Sequence, residues 1–218
     1  IFLDDGNKKK NLKKNIRKKL DKNIKLIFIQ NKINKGALKS VEIALKKVRS
    51  KYLYIKASDD IIYNNFFEEN IRTLENNPKA AYVFSNIKIN NIINKKKFFI
   101  KFKFIKKNFI SSSKVGEIYN NYQFKVYHNT AVINSKKFLK SNIFKYKYGN
   151  RSDMLNLQYL SMLYGFCYIN KTLSEFTVRE NQLSKKNKLS DDYLINELKI
   201  LKKFKYKFYK FFFQKNLH

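Results

Sequence analysis

Short apolar runs and longer amphipathic segments alternate through the first 85 residues of the chain. The apolar runs lie at 1–3, 24–29, 52–56 and 80–84, and each has the length of a buried strand. Between them, apolar residues recur at the i, i+3, i+4 and i+7 spacing of a helix that packs one face on a sheet. The alternation predicts a layered α/β domain with a mostly parallel central sheet.

Three helices are predicted between these strands. The first lies in the basic stretch between the apolar runs at 1–3 and 24–29, where Leu12, Ile16 and Leu20 recur at helical spacing. The second carries the apolar stripe of 37–48. The third is expected to start at Asn64 or Asn65 and to end before Pro78, because proline cannot continue a helix. Its inward face is predicted to consist of Phe67, Ile71 and Leu74.

The second half of the chain has a less regular pattern. The segment 87–110 contains no clear turn residues, and the pattern leaves its structure open. A basic and aromatic helix is predicted over 190–213. The other predicted elements are a strand at 130–133, helices at 135–139 and 152–164, and strands at 166–169 and 173–178.

The composition is strongly basic. The chain of 218 residues is long enough for one large domain with a buried core, and its 48 Lys and Arg against 16 Asp and Glu give a net charge of +32. This charge is typical of nucleic-acid-binding proteins. However, Lys, Asn, Ile, Phe and Tyr are abundant while Gly and Pro are rare, which is the bias of an AT-rich genome. We therefore keep a basic nucleic-acid-binding module only as an alternative.

Cysteine and histidine are too scarce for several kinds of site. Cys167 is the single cysteine, so an internal disulfide is excluded, and with two histidines a Cys/His zinc centre is excluded as well. Any metal must be held by oxygen ligands. No apolar run reaches the roughly 18 residues of a membrane-spanning helix. The chain starts at Ile1, in what looks like a strand, and we expect its natural beginning to be missing.

Two pairs of adjacent carboxylates follow predicted strands. Asp4 and Asp5 follow the apolar run at 1–3, and Asp59 and Asp60 follow the run at 52–56. Ligands of open α/β sheets bind beyond the carboxyl ends of the strands, so acids at two such ends are expected to converge on one site. Because acids are scarce in this chain, the pairs indicate a cation site and a candidate enzyme.

The motifs of this chain resemble those of nucleotide-sugar glycosyltransferases of family 2. Five matching segments occur in the order and at the intervals of that family: Asp4-Asp5-Gly6, Asn34-Lys35-Gly36, Ala57-Ser58-Asp59-Asp60, Asn77-Pro78 and Val178 to Ser184. The resemblance implies the GT-A fold, a Rossmann-like three-layer sandwich. It further implies a glycosyltransferase domain at 1–185 that lacks its first strand, followed by a basic, aromatic helical extension at 186–218.

The resemblance also implies roles for the acidic residues near the donor. Asp59 is expected to bind a divalent cation, Mn²⁺ or Mg²⁺, because these ions prefer oxygen ligands and keep several waters. The residues implied in donor binding are Asp4, Asp5, Gly6, Asp60 and Arg179. Within this set, Asp4 and Asp5 would hold the nucleobase and ribose, and Asp60 would support or share the role of metal ligand. Arg179 would contact the diphosphate, with a structural salt bridge as the alternative.

The base of an inverting transfer is expected to be Asp153. It stands where the family usually has an acidic pair, with Ser152 in place of the first acid. From the residues alone, Asp153 would be interpreted as a helix-start residue favoured by the helix dipole. His128 and Cys167 are both interpreted as structural residues.

The function implied is transfer of a sugar from a nucleotide-diphosphosugar donor to a hydroxyl acceptor. The acceptor is expected to be a glycan or a lipid-linked molecule in cell-surface polysaccharide or lipopolysaccharide assembly. The helix predicted at 190–213 suggests peripheral contact with an anionic membrane and a cytoplasmic location at its inner face. A packed terminal helix or a partner interface is the alternative. Another phosphate-handling α/β enzyme is a further alternative, although the Gly-x-x-x-x-Gly-Lys loop of nucleoside triphosphatases is missing.

Overall fold

A computed structural model of the chain describes residues 1–7, 11–122, 125–142, 144 and 152–180. The described residues divide at position 50 into two compact units. The predicted helix at 190–213 and the end of the Val178 to Ser184 segment lie outside the described residues. In the described part of the chain, no helix is long and apolar enough to cross a membrane.

The first unit contains a pair of parallel strands and two helices. Its elements are β1 (Phe2–Asp4), α1 (Leu12–Lys19), β2 (Phe28–Gln30) and α2 (Ala37–Leu45). Phe2 lies opposite Phe28, and Asp4 opposite Gln30. The cationic side chains of α1 are exposed while Leu12 is half-buried, so the charge of this segment lies on a solvent face.

The second unit is built on one seven-stranded sheet, with strand order β3-β8-β5-β9-β4, β6 paired to β5, and β7 paired to β9. The α/β class is confirmed. The elements are β3 (Tyr52–Leu53), β4 (Ile61–Ile62), α3 (Phe66–Asn76), β5 (Tyr82–Asn91), β6 (Lys96–Ile100), β7 (Phe109–Ile110), α4 (Ser112–Asn121), a 3-10 helix (His128–Thr130), β8 (Ala131–Asn134), α5 (Ser135–Ser141), α6 (Ser152–Tyr164) and β9 (Phe166–Val178).

The strand directions differ from the mostly parallel sheet that the pattern predicts. In the second unit β5 and β9 are parallel, whereas the other described pairs are antiparallel. For β5 and β6 the reason is local: residues 92–95 form a short turn, so the chain folds back as a hairpin within the segment 87–110 that the pattern left open. The two strands predicted at 166–169 and 173–178 are one strand, β9.

Helices cover both faces of β5. On one face, Val83 packs with Phe66 and Leu74 of α3. On the other, the fully buried Tyr82 lies beside side chains of α4 and α6. The sheet therefore has helices on both sides, as the predicted three-layer arrangement requires. Cys167 belongs to the α3 side of the core, and burial raises the pKa of its thiol to about 12, in agreement with a structural role.

The inward face of α3 is offset by one residue from the predicted one. Phe66, Asn70 and Leu74 are buried at i, i+4 spacing, whereas Phe67 is 43% and Ile71 36% exposed. The prediction was wrong for Phe67 and Ile71 because two phenylalanines stand side by side. Spacing alone did not distinguish which ring is inside.

This offset yields a stability prediction. Phe66→Ala is expected to lower the free energy of unfolding by about 3 to 5 kcal/mol, because it empties a fully buried site. Phe67→Ala is the matched control and should cost less than about 1.5 kcal/mol, since its ring contacts Tyr54 and Phe66 only from an exposed position. Urea denaturation measures both, and equal losses would contradict the assigned face.

Candidate functional site

In the first unit, the Asp4-Asp5 pair sits at the carboxyl end of β1 and is held by several hydrogen bonds. Asp4 is buried, and its carboxylate accepts hydrogen bonds from Gln30 Nε2 at 2.9 Å and from the Asn7 N–H at 3.1 Å. Asp5 Oδ1 accepts hydrogen bonds from Asn31 Nδ2 at 2.8 Å and from the Lys35 N–H at 2.9 Å. Asp4 therefore ties β1 to β2, and Asp5 is the more accessible of the two carboxylates.

The hydrogen bonds also determine the charge of Asp5. Burial raises its pKa, but the hydrogen bonds from the Lys35 N–H and from the Asn31, Ser40 and Gly36 groups together lower the pKa below the usual value. Asp5 thus remains ionised at neutral pH and is held in one orientation. An ionised carboxylate accepts hydrogen bonds from a base N–H or from sugar hydroxyls.

Gly6 brings the first two motifs of the chain together. Its φ is +79°, and a Cβ at this position would lie 2.5 Å from the Asn34 backbone nitrogen, so no other residue fits without a shift. Asn34 Oδ1 in turn accepts a hydrogen bond from the Gly36 N–H at 2.9 Å. The Asp4-Asp5-Gly6 and Asn34-Lys35-Gly36 segments are therefore two turns that pack against each other beyond the ends of β1 and β2.

In the second unit, Asp59 and Asp60 occupy a turn between β3 and β4. The C-terminal end of the turn is fixed because it continues into β4, which pairs with β9. In this pair Ile61 lies opposite Glu175. Glu175 is itself buried and accepts hydrogen bonds from Lys88 Nζ at 2.8 Å and from the Tyr63 hydroxyl at 3.2 Å. This ion pair at the sheet anchors the strand that follows the two carboxylates.

Asp60 is buried beside Asp59, and its Oδ1 has no hydrogen-bond partner among the described residues. Burial, and next the charge of Asp59, raise the pKa of Asp60 to about 6, while Lys56 and the Asn129 side chain act in the opposite direction. Burial and the charge of Asp60 also raise the pKa of Tyr54. A buried carboxylate oxygen without a partner is costly, and a bound cation would remove that cost.

Residues 128–130 link this turn to α6. The Tyr54 hydroxyl donates a hydrogen bond to the Asn129 carbonyl at 3.1 Å, and the 3-10 helix packs on α6. Asp153 lies in the first turn of α6, half-buried, and its Oδ1 accepts a hydrogen bond from the Met154 N–H at 2.7 Å. His128 lies within electrostatic reach of Asp153.

The structure thus brings part of the predicted site together. In the second unit, the 3-10 helix at 128–130 lies within reach of Asp60 and of Asp153: the Asn129 side chain lowers the pKa of Asp60, and the charge of Asp153 acts on His128. Asp4, Asp5 and Gly6 belong to the first unit, and Arg179 is exposed directly after β9 in the second. The roles of all these residues stay predictions.

The sequence analysis gave no functional role to Asn31, His128 or Asn129, and it interpreted His128 as a structural residue. Asn31 follows β2 and donates hydrogen bonds to both Asp5 and Ser40. Asn31 lies one residue after β2, which is parallel to the strand that ends in Asp4. This position at a strand end could have identified Asn31 from the sequence. His128 and Asn129 precede a strand rather than follow one. No strand-end rule therefore singled them out, and only the packing against α6 does so.

The oxygen atoms of the Asp59-Asp60 turn suit a divalent cation that is held together with a bound phosphate group. In the portion of the chain that is described, no group of three or more His, Cys, Asp or Glu side chains could hold a metal on its own. The Asp59-Asp60 turn supplies carboxylate oxygens, including the unpaired Oδ1 of Asp60. Mg²⁺ and Mn²⁺ accept one or two carboxylates together with phosphate oxygens and waters, so these residues fit such an ion.

The family assignment follows from comparison with known families. The sequence model of glycosyl transferase family 2 matches residues 1–160. The chain belongs to glycosyl transferase family 2. A search of the curated proteins found no match.

Solved structures confirm the GT-A fold. The chain is similar to S. aureus TarS 1–349 in complex with UDP-GlcNAc, with a TM-score of 0.67 and 13% identity over 96% of this chain and 59% of that one. TarS 1–349 without that ligand gives a TM-score of 0.57 and 16% identity over 80% of this chain and 50% of that one. The chain therefore spans about three fifths or less of the TarS chains it matches.

Proposed function

We propose that this chain binds a nucleotide-diphosphosugar and transfers its sugar to an acceptor hydroxyl with inversion at the anomeric carbon. The proposal rests on one observation above the others. In a chain of glycosyl transferase family 2, the 3-10 helix at 128–130 lies within reach of both the Asp59-Asp60 turn and Asp153. A carboxylate pair suited to a cation and a separate carboxylate suited to a proton are the two parts that this reaction needs.

Asp5 is proposed to hold the nucleoside of the donor. Its hydrogen bonds from Asn31 and Lys35 keep the carboxylate ionised and oriented before any ligand arrives. A preorganised acceptor group loses little entropy when it binds a base N–H or ribose hydroxyls. Asp4 supports it from the neighbouring position, and Gly6 permits the close turn.

Asp59 is proposed as the metal ligand, with Asp60 next to it. When bound, a divalent cation offsets the negative charge that develops on the diphosphate as the glycosidic bond breaks. Asp60 is the residue whose ionisation benefits most from a cation, because burial and Asp59 disfavour its charged form. Arg179 is proposed to contact the diphosphate as a second source of positive charge.

Asp153 is proposed as the base that draws the proton from the acceptor hydroxyl. The hydrogen bond from the Met154 N–H orients its carboxylate at the start of α6. As the proton leaves, the hydroxyl oxygen attacks the anomeric carbon from the face opposite the departing diphosphate. This arrangement gives inversion.

The acceptor is proposed to be a glycan or a lipid-linked molecule in cell-surface polysaccharide or lipopolysaccharide assembly. The basic and aromatic composition of 190–213 supports peripheral contact with an anionic membrane, because Lys and aromatic side chains together favour the headgroup region.

Donor binding is tested by thermal shift with MnCl₂ and UDP-GlcNAc, the molecule bound in the TarS complex. A ligand at 100 times its Kd adds about 2.7 kcal/mol, which raises the Tm of a chain of this length by about 5 to 10 °C. Asp5→Ala is expected to remove most of this rise because it removes the contact to the nucleoside. Asp21→Ala, at an exposed aspartate of the same unit, is the control and should keep it.

The donor test has a clear negative outcome. If neither UDP-GlcNAc nor the corresponding guanosine and thymidine diphosphosugars raise the Tm at millimolar concentration with Mn²⁺, the chain does not bind such donors. An equal rise in the Asp5→Ala and Asp21→Ala variants would instead remove Asp5 from the donor site.

A further inference from the structure

His128 carries an unpaired nitrogen on the 3-10 helix that packs against α6, the helix that bears Asp153. Its Nε2 is buried and has no hydrogen-bond partner among the described residues. The other side of the ring is engaged by the backbone carbonyl of Ile55. Because a carbonyl only accepts hydrogen bonds, the ring N–H points at Ile55, and the neutral imidazole presents a lone pair at Nε2.

The surroundings of His128 favour a neutral ring that gains a proton only during the reaction. Burial lowers the pKa of His128, whereas the Asp153 carboxylate and the Ile55 carbonyl both favour the charged ring. At neutral pH the imidazole is therefore an unprotonated base with a carboxylate close by. An imidazole is an effective base when a carbonyl oxygen holds its N–H and a carboxylate stabilises its charged form.

The residues next to His128 hold it in place. The 3-10 helix is closed by hydrogen bonds from the Thr130 N–H and hydroxyl to the Tyr127 carbonyl, at 2.9 and 2.7 Å. The Tyr54 hydroxyl binds the following residue at the Asn129 carbonyl. His128 thus stands on a short, hydrogen-bonded turn that packs against α6.

We propose that His128 and Asp153 accept the acceptor proton as a pair, with the proton received at His128 Nε2 and the imidazolium stabilised by Asp153. This inference rests on the proposed function and refines one step of it. The O–H bond of the acceptor breaks and an N–H bond forms at Nε2. The oxygen electron pair forms the new bond to the anomeric carbon, and the bond from that carbon to the diphosphate oxygen breaks, leaving its electron pair on the nucleoside diphosphate.

The first test is kinetic and needs no knowledge of the natural acceptor. UDP-GlcNAc with Mn²⁺ is the probe and water is the acceptor, so the rate of UDP release reports on the deprotonation step. His128→Gln is expected to lower this rate about 10²-fold or more, because an amide cannot take up a proton. The His128→Gln, Asp153→Asn double variant should be no slower than the slower single variant, since the two residues act as a unit.

His218→Gln makes the same change at the other histidine of the chain and should leave the rate unchanged. A His128→Gln rate within twofold of the wild-type rate, with Asp153→Asn strongly impaired, would show that Asp153 acts alone. The proposal would then fall while the proposed function stands. Rates unaffected by either change, or no UDP release at all, would count against the proposed function itself.

The second test is spectroscopic and does not depend on turnover or on folding of the His128 variant. The chain contains two histidines, so its imidazole NMR spectrum has two spin systems, and His218→Gln assigns them. In Asp153→Asn the pKa of His128 is expected to fall further, because the charge that favours the imidazolium is removed. The His218 signal serves as the internal reference. An unchanged His128 titration would overturn the pairing with Asp153.

Discussion

Asp153→Asn is expected to lower turnover of the sugar donor by about 10² to 10⁴-fold while the protein stays folded. The side chain keeps its shape, and the amide oxygen still accepts the hydrogen bond that the Met154 N–H gives to Asp153 Oδ1 at 2.7 Å. The start of α6 should therefore keep its geometry. The substitution removes the negative charge, and that charge is needed whether the proton goes to Asp153 directly or to the neighbouring His128.

The measurement is the initial rate of UDP release from UDP-GlcNAc, followed beside the thermal melt of each variant. Asp21→Asn is the matched control, since it removes the same charge from an exposed loop of the first unit. A wild-type rate in Asp153→Asn, with an unchanged melt, would remove Asp153 from the reaction. The carboxylate would then be only a helix-start residue.

Asp59→Asn is expected to remove most of the response of turnover to Mn²⁺. Loss of a charged oxygen ligand should cost several kcal/mol of stabilisation of the leaving diphosphate, and about 3 kcal/mol corresponds to a rate decrease of about 10²-fold. The MnCl₂ concentration at half-maximal rate should also rise, because only one carboxylate, the buried Asp60, remains at the turn.

The comparison that interprets this result is Glu117→Gln, which removes an exposed carboxylate from α4 and should leave the Mn²⁺ response unchanged. Turnover that is equally fast in Asp59→Asn across the whole MnCl₂ range would show that Asp59 is not a ligand. If, in addition, the Mn²⁺ response were lost in Asp60→Asn, the metal ligand would be Asp60 instead.

The sequence predicted the elements whose patterns are local and uninterrupted. α6 spans Ser152–Tyr164, as the pattern predicts, and Gly165 follows it with a positive φ that suits a helix end. The Asp4-Asp5 and Asp59-Asp60 pairs were found because strand ends mark them. The family emerged from the order of short motifs, and the match over residues 1–160 confirms it.

The parts that were missed depend on contacts between distant segments. β9 is one strand because β5 pairs along its length, with a register shift near Ser85 that no local pattern reveals. The inward ring of α3 is Phe66 rather than Phe67 because Phe66 packs in the core with Leu74 and with Val83 of the sheet. The proposed role of His128 depends on its interactions with Ile55 and Asp153. These residues lie 73 residues before and 25 residues after it in the chain. Helix and strand propensities and residue spacing carry no information about contacts between segments that are distant in the sequence.

The most direct test of the central claim is calorimetric titration of UDP into the protein with and without MnCl₂. If Asp59 and the diphosphate hold one cation together, Mn²⁺ must tighten UDP binding in the wild-type chain, and the coupling must largely vanish in Asp59→Asn. UDP binding that is equally tight with and without the metal, or coupling that survives in Asp59→Asn, would contradict a carboxylate-held cation at this turn.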